Sequence, residues 1–156
     1  MITRSIFAIL TALSLLFGAS MSAFAASGPL EGTPTIANSA AAGYYIWHND
    51  DGYHLRTHGP GADHLFTARL HTNGTFENVQ PVLLESGDSY AVTDGGHTLL
   101  LHFHTYNGID GVNFRIRGGE YVRFHLDLND QLISTSNIFL GLNGSHPATN
   151  PFQVDR

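Results

Sequence analysis

Hydrophobic and polar positions alternate with a period of two over much of residues 43–156. Eight short runs rich in aromatic and β-branched residues carry the pattern: 44–48, 53–58, 64–72, 75–85, 89–93, 98–106, 112–117 and 121–128. Alternation of this kind is typical of strands that bury one face. The chain therefore predicts an all-β fold, an antiparallel β-sandwich or flattened barrel of about eight short strands.

The alternation also predicts which side chains face the core. In 53–58, Tyr53 and Leu55 are expected inward, and the outward set is His54, Arg56 and His58. The same rule gives three further apolar sides: Phe66, Ala68 and Leu70; Val112, Phe114 and Ile116; and Val122, Phe124, Leu126 and Leu128. Five arginines then lie on polar faces, where arginine with histidine suits an acidic ligand. The alternative is an ordinary solvated sheet face.

Six Asx-Gly pairs divide the runs, and such pairs favour tight reversals. They are Asp51-Gly52, Asn73-Gly74, Asp94-Gly95, Asn107-Gly108, Asp110-Gly111 and Asn143-Gly144. Residues 47–59 resemble residues 106–119 at a constant offset, which suggests two related four-stranded units packed face to face. The alternative is that Asp-Gly turns recur by chance in a β protein.

The N-terminal region has the pattern of an export signal. Arg4 precedes an apolar run over 6–17, and Ala23-Phe24-Ala25 offers a cleavage site. The run is shorter than the roughly 20 residues of a membrane span. We expect a signal peptide over 1–25, a flexible leader over 26–42, a single β domain over 43–156, and a secreted or periplasmic protein without membrane insertion after cleavage.

Composition narrows the chemistry. The chain has no cysteine, which excludes disulfides and thiolate ligands, and its seven basic residues are all arginine against 13 acidic residues. The formal net charge of −6 argues against a nucleic-acid partner, since phosphate binding relies on surplus positive charge. No serine has the setting of an activated nucleophile, so we predict no catalytic residue.

The ten histidines provide a candidate metal site. His102 and His104 are two positions apart on a predicted strand and project from one face, and His125 is expected on a neighbouring strand. A divalent transition metal is the cofactor alternative. The other interpretation is that these imidazoles are surface or hydrogen-bonded structural groups.

Part of the chain resembles the metal-binding motifs of the cupin family. The matching positions are Gly96, His102, His104, Asp110 and Gly118 for the first motif and His146 and Asn150 for the end of the second. Both spacers after the histidine pair are longer than in the family, and an aspartate replaces the usual glutamate. The resemblance implies a metal-dependent enzyme.

Aromatic residues around the first predicted hairpin favour binding instead. Tyr45, Trp47 and Tyr53 are candidates to stack on a sugar, with Arg56 and Arg115 as polar contacts. The main hypothesis is thus a noncatalytic module that binds carbohydrate, a cell surface or another extracellular protein. A structural or adhesion domain without a small-molecule site is the remaining alternative.

Overall fold

The computed structural model describes residues 30–36 and 41–156, so the predicted signal peptide lies outside the described residues. Eleven strands follow one another along the chain: β1 (Gly43–Asn49), β2 (Gly52–His58), β3 (Asp63–Thr72), β4 (Thr75–Val82), β5 (Ser89–Thr93), β6 (Thr98–Tyr106), β7 (Ile109–Arg117), β8 (Tyr121–Leu128), β9 (Gln131–Leu132), β10 (Ile138–Leu140) and β11 (Phe152–Asp155). Short 3₁₀ turns cover Asp94–Gly96 and Thr135–Asn137.

The strands form two sheets that pack face to face, which confirms the predicted β-sandwich. The five-stranded sheet has the order β10-β1-β2-β7-β4, and the six-stranded sheet contains β11-β8-β3-β6-β5 with β9 beside β8. Neighbours are antiparallel except β1 and β10, which are parallel. Each sheet combines strands from both halves of the chain, because β2 pairs with β7 and β3 with β6. The arrangement therefore differs from one unit per half.

The core lies between the sheets and consists of the predicted apolar sides. Phe66, Leu70, Val112, Phe124 and Leu126 are fully or almost fully buried there. Side chains of this size each contribute about 1.5–3 kcal/mol on burial. The inward and outward assignment from alternation is thus correct for β3, β7 and β8.

The pair Asp110-Gly111 lies within β7 and not in a turn. The Asp110 side chain points inward, where its Oδ2 accepts a 2.6 Å hydrogen bond from the Thr105 hydroxyl. A Cβ on Gly111 would clash with the Leu55 carbonyl oxygen of β2 and would lie 2.6 Å from Cδ of Arg56, so the glycine permits the close approach of β2 and its arginine. A close approach of this kind is a second reason for glycine in a strand.

Part of the predicted leader belongs to the fold. The Leu30 carbonyl accepts a 2.8 Å hydrogen bond from His48 N–H, and Gly32 N–H donates to the His48 carbonyl at 3.3 Å. Leu30 itself is buried in the core. Within the predicted leader, Leu30–Gly32 thus pair with the main chain of β1, and Leu30 packs into the core.

Among the described residues, no helix has the length and apolar character needed to cross a membrane.

Candidate functional site

Four of the five residues predicted to contact a ligand project from the outer face of the five-stranded sheet. Tyr45 and Trp47 alternate with the core residues of β1, and Arg56 and Arg115 alternate with those of β2 and β7. Tyr53 instead faces the core, where its ring stacks on Phe114 with centroids 5.3 Å apart. Its position follows the alternation of β2.

Tyr45 and Trp47 are on the expected face but are covered, with exposed fractions of 3% and 6%. Tyr45 stacks on Phe139 of β10 at 4.8 Å, and the Trp47 indole stacks on the His54 imidazole at 4.9 Å. An aromatic platform for a sugar has to present an open ring face. These two rings therefore support the surface and do not form an exposed platform.

Arg56 lies flat across the same face. Its Nη1 donates to the carbonyls of Leu55 and Val112 at 2.9 and 3.1 Å, and its Nη2 donates to Asn113 Oδ1 at 2.8 Å. The guanidinium carbon is 5.1 Å from the centre of the Trp47 ring, within cation–π distance. Burial lowers the pKa of Arg56 to about 10, so the side chain remains charged at neutral pH.

His54 connects this cluster to the neighbouring strands. Its Nδ1 lies 2.8 Å from Asn113 Oδ1, and its Nε2 lies 2.9 Å from Asn49 Oδ1. Each oxygen also accepts another N–H, from Arg56 and from Asp51 respectively. Only an imidazolium donates to both oxygens. Burial, aided by the Arg56 charge, lowers the pKa of His54. Desolvation therefore opposes protonation of His54, although protonation would let both ring nitrogens donate hydrogen bonds.

A groove of about 400 Å³ crosses this face beside His54. Cross-strand pairing aligns its floor, with His54 opposite Asn113 and Asn113 opposite Gln80. The complete lining is Asp51, His54, Asn78, Gln80, Asn113, Phe114 and Arg115. The groove thus presents three amides, a carboxylate, an imidazole and a guanidinium.

A β-bulge in β4 places part of this lining. The register between β4 and β7 shifts between Glu77 and Gln80, and Asn78 adopts a φ of 49°. Asparagine tolerates this left-handed conformation better than most residues. Past the bulge Val79 packs against the core and Gln80 faces outward. Bulges commonly redirect side chains next to functional sites.

Sequence reasoning did not single out Asn78, Gln80 and Asn113 as contacts. A signal for the first two is present, because regular alternation from buried Phe76 would point Asn78 inward and Val79 outward. A polar residue at a core position followed by an apolar residue at a surface position indicates a bulge. Asn113 lacks such a signal, since an outward asparagine is ordinary.

The predicted metal residues occupy the outer face of the six-stranded sheet. The rings of His102 and His104 on β6 have centroids 5.3 Å apart, but β3 separates them from His125 on β8. Two strand spacings amount to about 9.6 Å. Instead, His104 pairs with Asp63 at 3.2 Å and His125 with Asp127 at 3.3 Å. Within 30–36 and 41–156, no three His, Cys, Asp or Glu residues are placed to hold a metal.

The cupin-like positions are also dispersed. Asp110 faces the interior, whereas His102 and His104 lie on an outer face. His146 Nδ1 lies 2.7 Å from the Ile138 carbonyl, and Asn150 bonds to the main chain of Leu126. His104, Asp110, His146 and Asn150 thus each have a different partner, and the cupin-like positions do not converge on one point.

No protein-family model matches the chain, and neither a curated protein nor a solved structure gives a significant match.

Proposed function

We propose that the protein is a secreted or periplasmic, noncatalytic binding module that recognises a carbohydrate through the groove on the five-stranded sheet. The observation that carries the proposal is the polar lining of the 400 Å³ groove. That volume falls within the usual range for small-ligand sites.

The lining chemistry suits sugar hydroxyls. A hydroxyl both donates and accepts a hydrogen bond, and an amide offers both functions from one side chain. Asn78, Gln80 and Asn113 bring three amides to one groove, with Asp51 as an acceptor and Arg115 as a donor. The Asn113 oxygen is already held by Arg56 and His54, which fixes its orientation before a ligand arrives.

Binding without catalysis fits the same residues. Amides neither release nor take up protons near neutral pH, and glycoside hydrolysis ordinarily uses two carboxyl groups on either side of the bond. The groove lining contains one carboxylate, Asp51. The groove is therefore better equipped to hold a sugar than to cleave it.

The supporting surface is rigid in a way that favours recognition. Trp47, His54 and Arg56 form a stack beside the groove, and the Arg56 hydrogen bonds tie β2 to β7. Preorganised polar groups lose little conformational freedom when a ligand binds. The covered aromatic residues therefore act as support, and the amides are the proposed contacts.

A glycan array followed by calorimetry tests the proposal. We expect a saturable glycan ligand whose affinity falls about 3–10-fold in Gln80→Ala, the worth of one hydrogen bond. Asp51→Asn should weaken binding similarly. Gln131→Ala, an exposed glutamine of β9, is the matched control and should bind as wild type. Failure of every glycan to bind, or equal affinity of Gln80→Ala and wild type, would overturn it.

A further inference from the structure

The six-stranded sheet has its own cluster on its outer face, distinct from the sugar groove. Arg69 and His71 are two positions apart on β3 and project from the same face. Arg123 and His125 are related in the same way on β8. The register sets Arg69 opposite His125 and His71 opposite Arg123. We call these four residues the basic quartet. They alternate in type across two neighbouring strands.

The basic quartet lines a depression of about 370 Å³ and not a flat surface. Thr98 of β6 borders it on one side and Pro151, just before β11, on the other. Its lining contains no carboxylate. A depression of this volume holds a tetrahedral anion together with a small attached group.

Three of the four side chains of the basic quartet have polar partners. His125 pairs with Asp127 at 3.3 Å, Arg123 Nη2 donates to Gln153 Oε1 at 3.2 Å, and His71 Nδ1 lies 3.4 Å from the Thr98 hydroxyl. Arg69 has no carboxylate within salt-bridge distance in the part of the chain that the structure describes.

Such a cluster is unfavourable without a counter-charge. Arg69 and Arg123 lie at diagonal positions of neighbouring strands, so their two positive charges repel each other. The chain holds seven arginines against 13 acidic residues, and two of those seven meet here. An anion in the depression removes the repulsion and gains charge-assisted hydrogen bonds.

We propose that the basic quartet binds a phosphate or sulfate group, as the free anion or as an ester on a small molecule. Guanidinium presents paired N–H donors that match two oxygens of such a group, so Arg69 and Arg123 are the principal contacts. The imidazoles of His71 and His125 donate the further hydrogen bonds. This site lies on the opposite face from the proposed sugar groove and does not depend on it.

The test is a titration of the full mature chain with inorganic phosphate, inorganic sulfate and acetate, followed by calorimetry and by the imidazole signals in NMR. We expect saturable binding of phosphate or sulfate at least tenfold tighter than acetate, with shifts of the His71 and His125 signals. A stronger response to one of the two tetrahedral anions identifies the preferred group, and a parallel titration with its phenyl ester distinguishes the free anion from an esterified ligand.

Matched charge variants separate a site from general attraction. Arg69→Gln should weaken binding of the preferred anion at least tenfold, and His125→Gln should weaken it to a smaller degree. Arg117→Gln removes the same charge from an exposed residue of the other sheet and should leave affinity unchanged. Circular dichroism checks the fold of each variant. The proposal is overturned if neither tetrahedral anion saturates, if acetate binds equally well, or if Arg69→Gln and Arg117→Gln behave alike.

Discussion

Arg56 and Arg69 occupy equivalent outward positions on strands of opposite sheets, yet their surroundings differ. Arg56 donates three hydrogen bonds, lies over Trp47 and is partly buried, whereas Arg69 is exposed. The outer face of the five-stranded sheet is therefore packed around Arg56, whereas Arg69 lies on an open part of the six-stranded sheet. Alternation gives the direction of a side chain and not whether the face it reaches is covered.

The largest expected difference between the two faces concerns Trp47. Trp47→Ala removes a buried ring that packs on His54 and Arg56, so we expect a loss of about 3–5 kcal/mol in the free energy of unfolding. Arg69→Ala on the other sheet should change it by less than about 0.5 kcal/mol. Urea denaturation of both variants measures the contrast, and equal losses would show that the faces are alike.

Gly111 tests how closely β7 must approach β2. The methyl group of Gly111→Ala would clash first with the Leu55 carbonyl oxygen and then, at 2.6 Å, with Cδ of Arg56, and we expect a cost of about 1–3 kcal/mol in the free energy of unfolding. Gly108→Ala is the control, since its nearest neighbour, the Tyr106 carbonyl, is 3.5 Å away. Thermal unfolding compares the two variants. Similar melting temperatures for the two variants would mean that β7 accommodates a methyl group at position 111 without loss of stability.

A smaller loss of stability is expected when Arg56 keeps its charge but loses the shape of its guanidinium group. Arg56→Lys keeps the positive charge but loses the forked donors, so we expect a loss of about 1 kcal/mol in unfolding free energy. Arg69→Lys should be neutral within the error of the measurement, because Arg69 is exposed. If both lysine variants match wild type in urea denaturation, the hydrogen bonds of Arg56 contribute nothing to stability.

The smallest effect lies in the interior between the two faces. Burial raises the pKa of Asp110, although the Thr105 hydroxyl favours its charged form. The folded state then holds this proton more tightly than the unfolded state, so this group lowers stability as pH rises from about 4 through the raised pKa. Asp110→Asn should flatten that part of the pH dependence. Unfolding at pH 4 and pH 7 measures it, and an unchanged slope would contradict the assignment.

The sequence predicted the core between the two sheets better than the outer faces of the sheets. Period-two alternation identified core residues such as Phe66 and Phe124 because burial on one side of a strand directly selects residue type. The same rule placed His54 and His58 outward, but the structure buries them at 8% and 5% exposure. His54 is covered by the Trp47 ring and contacts Asn113 of β7, and alternation within a single strand encodes neither contact.

Elements shorter than the alternation window escaped prediction. β9 and β10 have two and three residues, and neither is long enough for two full cycles of inward and outward positions. Leu30 was assigned to a flexible leader because its neighbours are proline, glycine and serine. Its burial is fixed by the main chain of His48, again a contact that only the folded chain provides.

The candidate site was predicted in part. Alternation placed Arg56 and Arg115 on outward faces, and the structure sets them on the same face as Tyr45 and Trp47. The groove between them required the order of the strands, because His54, Asn113 and Gln80 come from three strands joined only by sheet pairing. The metal hypothesis lacked the same information, since β3 separates His102 from His125.

The parallel pairing of β1 with β10 affects when the chain can fold. Tyr44 lies beside Ile138, so the first strand gains a neighbour on that side only after most of the polypeptide has been synthesised. Pairings between residues this far apart form slowly, because a long loop has to close first. The five-stranded sheet is therefore complete only once β10 has joined β1, and we expect this pairing to be among the last of that sheet to form.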